Sequence, residues 1–305
     1  MSKRKSGLNI NGILLLDKSI GLSSNQALQQ IRRLFNANKA GHTGSLDPLA
    51  TGLLPICFGE ATKICGFLLD QDKRYQVQMH LGIITDTGDA EGKILQQQSV
   101  PNLSNAQLND CLAQFRGEIK QLPPMYSALK YQGQKYYELA RQGIEIERQP
   151  RLIKINELHL LNWQSPFLTL EVACSKGTYI RSLAIDIGQI LECGATVSQL
   201  RRLQVGQFTL NQARSFDHLA RLSPTELAEQ LLAVDQPLNF LPKLELSSQQ
   251  ALAIQLGQSL FIDTDQLGQI RLYHHGAFLG LGECLFNGKL APKKLFHLTP
   301  SAIAE

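Results

Sequence analysis

The chain has 305 residues, of which 43% are hydrophobic and 18% charged, and a formal net charge of +4. That length supports one large domain plus a smaller one, and the composition excludes a disordered or fibrous protein. No apolar run approaches bilayer-spanning length, and the basic start MSKRKSG leads only into the short apolar run Ile13 to Leu16, too short for a signal-peptide core. A soluble, cytoplasmic protein without a membrane partner is therefore expected. The six cysteines are widely spaced, with no C-x-x-C pair and no histidines at zinc-ligand spacing, so they are expected to be reduced thiols and no metal site is expected.

The positive charge is unevenly spread. Residues 1–46 carry seven Lys or Arg against one acid, and residues 120–154 carry seven against three. Two basic regions on a nearly neutral body point to a polyanion, of which nucleic acid is the commonest, although solvated surface would look the same from charge alone.

In chain order, Gly12 to Leu16 reads as a strand, and Ser23 or Ser24 can cap a helix with Leu28, Ile31, Leu34 and Phe35 on one face. Next comes GHTGSLDPLATGLLPICFGEATKI, Gly41 to Ile64, with glycines at 41, 44, 52 and 59 and prolines at 48 and 55. Its first half reads as a shaped loop holding one acid, Asp47, just before a buried strand from Leu53 to Phe58. A carboxylate on a rigid loop can serve as nucleophile or general base, while Asp-Pro is also an ordinary turn opener. Ala61 to Leu69 reads as a short helix. Lys73 to Leu81 alternates, with Tyr75, Val77, Met79 and Leu81 on one face. TDTGDAEG, Thr85 to Gly92, lacks EF-hand spacing and reads as a loop.

Ser104 to Phe115 is a helix candidate. Residues 121–151 hold four of the seven tyrosines among basic residues, including Lys130 and Lys135. Aromatic faces stack on bases while cations follow phosphates, so this stretch reads as an RNA-gripping segment, with Tyr136, Leu139 and Ala140 also compatible with a core helix. Strands are expected over Leu152 to Leu161 and Leu168 to Cys174, and a helix with Ile180, Leu183, Ala184, Ile187 and Leu191 inward follows. Ser223 to Glu226 is a capping box opening a helix to about Val234. Past Pro242 the chain breaks into short apolar runs between glycines, which reads as a small β-rich module.

Six ordered motifs carry a resemblance. Asn11 to Lys18 with GLSSN, the Gly41 to Ile64 string, KRYQVQMHLG, LPPMYSALK, CSKGTYIRSLA and SQLRR resemble the bacterial TruB family of tRNA pseudouridine synthases. The resemblance implies an α+β pseudouridine synthase fold with a mixed, largely antiparallel central sheet over residues 1–240, including the insertion 121–151. The tail, 243–305, resembles the small PUA-like RNA-binding domain that follows in that family. The implied activity is isomerisation of the T-loop uridine at tRNA position 55, using no metal or organic cofactor, on a flipped nucleotide. The implied partner is the T arm and elbow of tRNA, and a monomer is the default.

The resemblance assigns the nucleophile to Asp47, attacking ribose C1′ or uracil C6, and assigns Tyr75 as base or as the group positioning it. Tyr179 matches the residue packing on the target base, Arg181 the partner of the carboxylate, and Leu200 a wall of the uracil pocket. His42 matches the residue filling space left by the flipped nucleotides, and Lys18 is a further candidate for RNA or site support. Thr196 stands where the family often has His, which puts one supporting contact in doubt. The tyrosine-rich insertion and the lack of lysine-rich tails favour a stand-alone enzyme over the guide-RNA-dependent branch. A tRNA-folding role would use the same surface and is compatible with it.

Overall fold

Alternating and continuous apolar runs mark the strands of the first 215 residues. In the computed structural model, which describes residues 7–298, these are β1 (Gly12–Lys18), β2 (Ala40–His42), β3 (Thr51–Phe58), β4 (Lys73–Leu81), and the hairpin β5 (Ile83–Thr85) with β6 (Ile94–Gln97). They continue with β7 (Gly117–Gln121), the hairpin β8 (Lys130–Tyr131) with β9 (Gln134–Lys135), β10 (Arg151–Gln164), β11 (Phe167–Cys174), β12 (Ala195–Val205), β13 (Phe208–Thr209) and β14 (Arg214–Ser215). Ten of these strands form one sheet in the order β14, β1, β3, β12, β4, β11, β10, β7, with β13 beside β12 and β2 beside β3. Only the β1–β14 and β3–β12 pairings are parallel, so the sheet is mixed and largely antiparallel, as expected. Lys3, Arg4 and Lys5 of the basic N-terminal region lie outside the described residues.

The helices α1 (Ser24–Leu34), α3 (Asn105–Ala113) and α5 (Ile180–Ile190) line one face of the sheet, while α2 (Cys65–Leu69) follows β3 and α4 (Tyr136–Arg141) lies in the insertion. Leu28, Ile31, Leu108, Leu112, Leu183 and Ile187 pack there with Leu14, Leu16, Val77 and Met79 of the strands. The intervening side chains Ile13 and Leu15 of β1 join a second core with Leu53, Phe208, Leu238, Phe278 and Phe296. Strand β1 is thus buried on both faces, which is why it reads as an unbroken apolar run rather than an alternating one. In β4 one face is closed and the other is mostly part-exposed, and Tyr75, Val77, Met79 and Leu81 point inward as their spacing predicts.

After α6 (Phe216–Leu219) and α7 (Pro224–Glu229), the chain enters a five-stranded sheet flanked by α8 (Ser248–Gln255). Its strands are β15 (Lys243–Glu245), β16 (Leu260–Phe261), β17 (Gly268–His274), β18 (Ala277–Cys284) and β19 (Lys289–Leu295), in the order β15, β17, β18, β19, β16. Tyr273, Phe278, Leu281 and Phe296 dock this sheet on the second core, behind the ten-stranded sheet. No helix among the described residues is long and apolar enough to cross a membrane.

Two expected helices differ. The Ala61 to Leu69 segment is a 3₁₀ turn, Gly59–Ile64, followed by the five-residue α2. The helix opened by the Ser223 capping box stops at Glu229, because Leu232 instead exchanges backbone hydrogen bonds with Ile13 of β1, at 3.0 and 2.8 Å. Here a tertiary bridge overrides local periodicity.

A close strand approach lies beside the Asp47 loop. Gly52 opposes Arg202 across the parallel β3–β12 pair with φ of +102°, and a Cβ there would lie 2.3 Å from the Arg202 carbonyl oxygen. Gly52→Ala is expected to cost about 3 kcal/mol or more in chemical denaturation. Gly66→Ala, in open space on α2, is expected to be neutral or to gain roughly 0.5–1 kcal/mol. Equal effects of the two changes would contradict the close strand approach.

Candidate active site

The Asp47 loop is held from below by the segment that follows β1. Ser24 Oγ accepts the Leu46 N–H at 2.7 Å and lies 3.1 Å from the Leu46 carbonyl, and the Gly21 N–H donates to the Pro48 carbonyl at 2.9 Å. Lys18 is buried, and its ammonium donates to the carbonyls of Ser19 at 2.9 Å, Leu22 at 2.6 Å and Pro48 at 3.5 Å. Burial pushes the Lys18 pKa down to about 8, partly offset by the charges of Asp47 and Glu91. Lys18 therefore braces the loop from inside rather than reaching into solvent.

Arg181, on the first turn of α5, is buried and meets Asp47 with Nε to Oδ2 at 2.9 Å. The rest of its fork is also occupied. Nη1 donates to the Thr87 carbonyl at 2.9 Å and lies 3.5 Å from Asp89 Oδ2, while Nη2 donates to the Tyr126 carbonyl at 2.6 Å. A guanidinium with every edge engaged has little freedom to move, so the Asp47 carboxylate is held by a fixed donor. Asp47 keeps 39% of its side-chain surface open to solvent, against 5% for Arg181.

The loop Thr85 to Gly92 is a non-metal loop in the sequence reading, and in the structure it docks on β12 and delivers a second carboxylate. Val197 N–H donates to the Gly88 carbonyl, Ala90 N–H to the Val197 carbonyl, and the hydroxyls of Thr85 and Thr196 lie 2.9 Å apart. Thr196 thus ties this loop to the sheet. Asp89 is buried and accepts from Thr87 Oγ1 at 2.6 Å and the Glu91 N–H at 3.2 Å, which leaves its other oxygen facing Arg181.

Burial lifts the Asp47 carboxyl above its ordinary pKa, and the neighbouring Asp89 adds to this, while Arg181 and Lys18 pull it back. Desolvation thus outweighs the guanidinium in setting the direction of the shift. Tyr75 lies on β4, buried, opposite Arg202 in the β4–β12 pairing. Burial raises its pKa above the ordinary tyrosine value, and Arg202 only partly offsets this, so the phenol is neutral near pH 7. Arg202 is itself buried, donating from Nε to the Leu53 carbonyl at 2.7 Å and from Nη2 to the Gly44 carbonyl at 3.1 Å.

His42 ends β2 next to this loop. Its pKa is lowered by burial and by Arg202, and its Nδ1 is buried without a hydrogen-bond partner. Leu200 on β12 is nearly buried, opposite Val77. Tyr179 is the residue immediately before α5, two positions from Arg181.

The structure therefore gathers Asp47, Arg181, Lys18, Tyr75 and His42 around one loop, with Tyr179 just before α5 and Leu200 on β12. Lys130 and Lys135 stand apart as a cross-strand pair on the insertion hairpin, where Lys135 Nζ lies 3.2 Å from the Tyr137 hydroxyl. Sequence reasoning passed over Asp89, hidden among other acids of a turn, and gave Arg202 no role in the site. For Arg202 a signal existed: it sits two residues after Leu200 on one strand, hence on the same face.

A ten-stranded mixed sheet with a carboxylate loop at its centre and a curled β module behind it defines a pseudouridine synthase fold. The same fold, including the PUA-like β region, recurs in a solved Cbf5-Nop10-Gar1 complex, with TM-score 0.72 at 23% identity over 94% of this chain and 85% of that one. It recurs again in an H/ACA RNP bound to a substrate RNA containing 2′-deoxyuridine, with TM-score 0.72 at 20% identity over 98% and 92%. Residues 32–180 match the model of the TruB family pseudouridylate synthase N-terminal domain. Residues 181–239 match the tRNA pseudouridylate synthase B C-terminal domain, and 242–296 the pseudouridine synthase II TruB C-terminal region. The tRNA pseudouridine synthase B of Chromohalobacter salexigens is 49% identical over 300 residues, covering 97% of this chain and 98% of its own length. That of Histophilus somni strain 2336 is 50% identical over 308 residues, covering 98% and 100%. The chain belongs to the TruB family of pseudouridylate synthases, and is therefore an RNA-modifying isomerase.

The raised pKa is directly measurable. In ¹³C NMR of the RNA-free protein, the Asp47 carboxyl is expected to titrate above the ordinary carboxylate value, and higher still in Arg181→Met. A midpoint at or below the ordinary value would contradict this balance of burial over ion pairing.

Proposed function

We propose that this tRNA pseudouridine synthase isomerises the T-loop uridine at tRNA position 55, acting alone without guide RNA, through Asp47 as nucleophile. The observation that carries the reading is the partly exposed Asp47 carboxylate held at 2.9 Å by a fully engaged, buried Arg181. The reaction breaks the bond from ribose C1′ to uracil N1 and forms one from C1′ to C5. The C5 proton leaves, N1 gains a proton, and the carboxylate is regenerated. Attack on C1′ and attack on C6 both need an ionised Asp47, and Arg181 and Lys18 favour that form against desolvation.

A stacked T-loop uridine has to leave the loop to reach this carboxylate. Tyr179 packs on the flipped base and Leu200 closes the pocket. His42 enters the space the nucleotides vacate, where its unpartnered Nδ1 gains a polar neighbour. The raised pKa of Tyr75 makes its phenolate scarce, so a neutral Tyr75 that positions the base and the group receiving the C5 proton fits better than a pre-formed phenolate base. Lys130 and Lys135, on the hairpin of residues 121–151, follow phosphates of the T arm and elbow. Holding an unfolded elbow on the same surface would also let the enzyme assist tRNA folding.

Release of tritium from C5-labelled uridine in an unmodified tRNA transcript is expected with wild type alone and is expected to vanish in Asp47→Asn. No release by wild type without guide RNA would overturn the stand-alone reading, and wild-type activity in Asp47→Asn would overturn the nucleophile. Separately, Lys130→Glu with Lys135→Glu is expected to weaken tRNA binding. The slope of log affinity against log salt should flatten by about one unit for each phosphate that is no longer neutralised. An unchanged slope would remove the hairpin from the interface.

A further inference from the structure

The insertion of residues 121–151 leaves the sheet at Gln121, the last residue of β7, and returns at Arg151, the first of β10, and these two residues are direct cross-strand partners. Both turn toward Tyr179. The Gln121 side-chain amide grips the Tyr179 backbone twice: Nε2 donates to the Tyr179 carbonyl at 3.1 Å, and the Tyr179 N–H donates to Oε1 at 2.8 Å. Gln121 is 1% exposed, so these bonds are shielded from competing water. The Arg151 guanidinium lies over the Tyr179 ring, 5.4 Å from its centroid.

Tyr179 needs such support, because it precedes α5 and makes no side-chain cap of its own. The same root reaches the next turn of the helix: Ser182 Oγ donates to the Leu122 carbonyl at 2.9 Å, and Arg181 Nη2 to the Tyr126 carbonyl. The start of α5, which presents both the residue packing on the base and the partner of Asp47, is therefore fastened to the first leg of the insertion.

We infer that Gln121 and Arg151 are positioning residues of the uridine pocket, fixing the backbone and ring of Tyr179 from the root of the RNA-gripping insertion. This rests on the role proposed above for Tyr179. A gripped tRNA and an ordered pocket then share one support. Removing the support costs rate on bound tRNA rather than affinity for it, since the phosphate contacts lie farther out on the insertion. The competing role for Arg151 is a simple phosphate contact, which would have the opposite signature.

The test is single-turnover pseudouridine formation at saturating tRNA, with the tRNA dissociation constant measured in parallel. Arg151→Met, which keeps the aliphatic stem, is expected to slow the saturated rate about threefold to tenfold, the scale of one cation–π contact, with the dissociation constant within about twofold of wild type. Arg151→Lys is expected to recover most of that rate. In a Tyr179→Leu background Arg151→Met is expected to have no further effect. A loss confined to the dissociation constant and its salt dependence, or a full additive loss in the Tyr179→Leu background, would overturn the inference. Gln121→Glu, which keeps the acceptor for the Tyr179 N–H but loses the donor to its carbonyl, is a second probe expected to lower the saturated rate. Inactive wild type in this assay would instead refute the proposed function, which separates the two failures.

Discussion

The site depends on one buried guanidinium facing two carboxylates. Arg181 touches Asp47 through Nε and approaches Asp89 through Nη1, and its remaining donors end on backbone carbonyls of two separate loops. A charge buried this deeply is tolerated only when its hydrogen bonds are satisfied, so the loops that supply those oxygens are fixed by the same residue. Residues 85–92, the root of the insertion and the Asp47 loop all converge on it. For a reaction with charge developing at one carbon, fixed placement of the carboxylate lowers the cost of reaching the transition state.

Burial and pairing act against each other at Asp47. Full exposure would leave a well-solvated carboxylate with weak nucleophilicity, and full burial without Arg181 and Lys18 would leave it protonated. The structure sits between these limits, with the carboxylate partly open to solvent and its supports closed off. Lys18 belongs to this balance too: its ammonium is spent on backbone carbonyls, yet its charge still acts on Asp47.

Much of this was legible in the sequence where local rules suffice. The period-two pattern of Lys73 to Leu81 placed Tyr75 inward, and the apolar spacing from Ile180 placed Tyr179 and Arg181 at a helix start. The ordered motifs supplied the grouping of Asp47 with Tyr75, Tyr179, Arg181 and Leu200, which no periodicity could give. What stayed hidden was set by tertiary contact. Asp89 looked like one of several acids in a glycine turn, and only the docking of that turn on Val197 aims it at Arg181. Gln121 and Arg151 read as the edges of a loop, because the residue they both support, Tyr179, is far from each of them along the chain. The helix expected to reach Val234 failed for the same reason, since the pull of β1 on Leu232 is invisible to local spacing.

The central claim is that an ionised, desolvated Asp47 is the reacting group. Its most direct test is the pH dependence of the single-turnover rate on saturating unmodified tRNA. The carboxyl pKa is raised, so the reactive form is lost as pH falls through it: the rate should rise with pH through one ionisation above the ordinary carboxylate value and then level off. A rate that is flat across that window, or that falls as pH rises through it, would contradict the account.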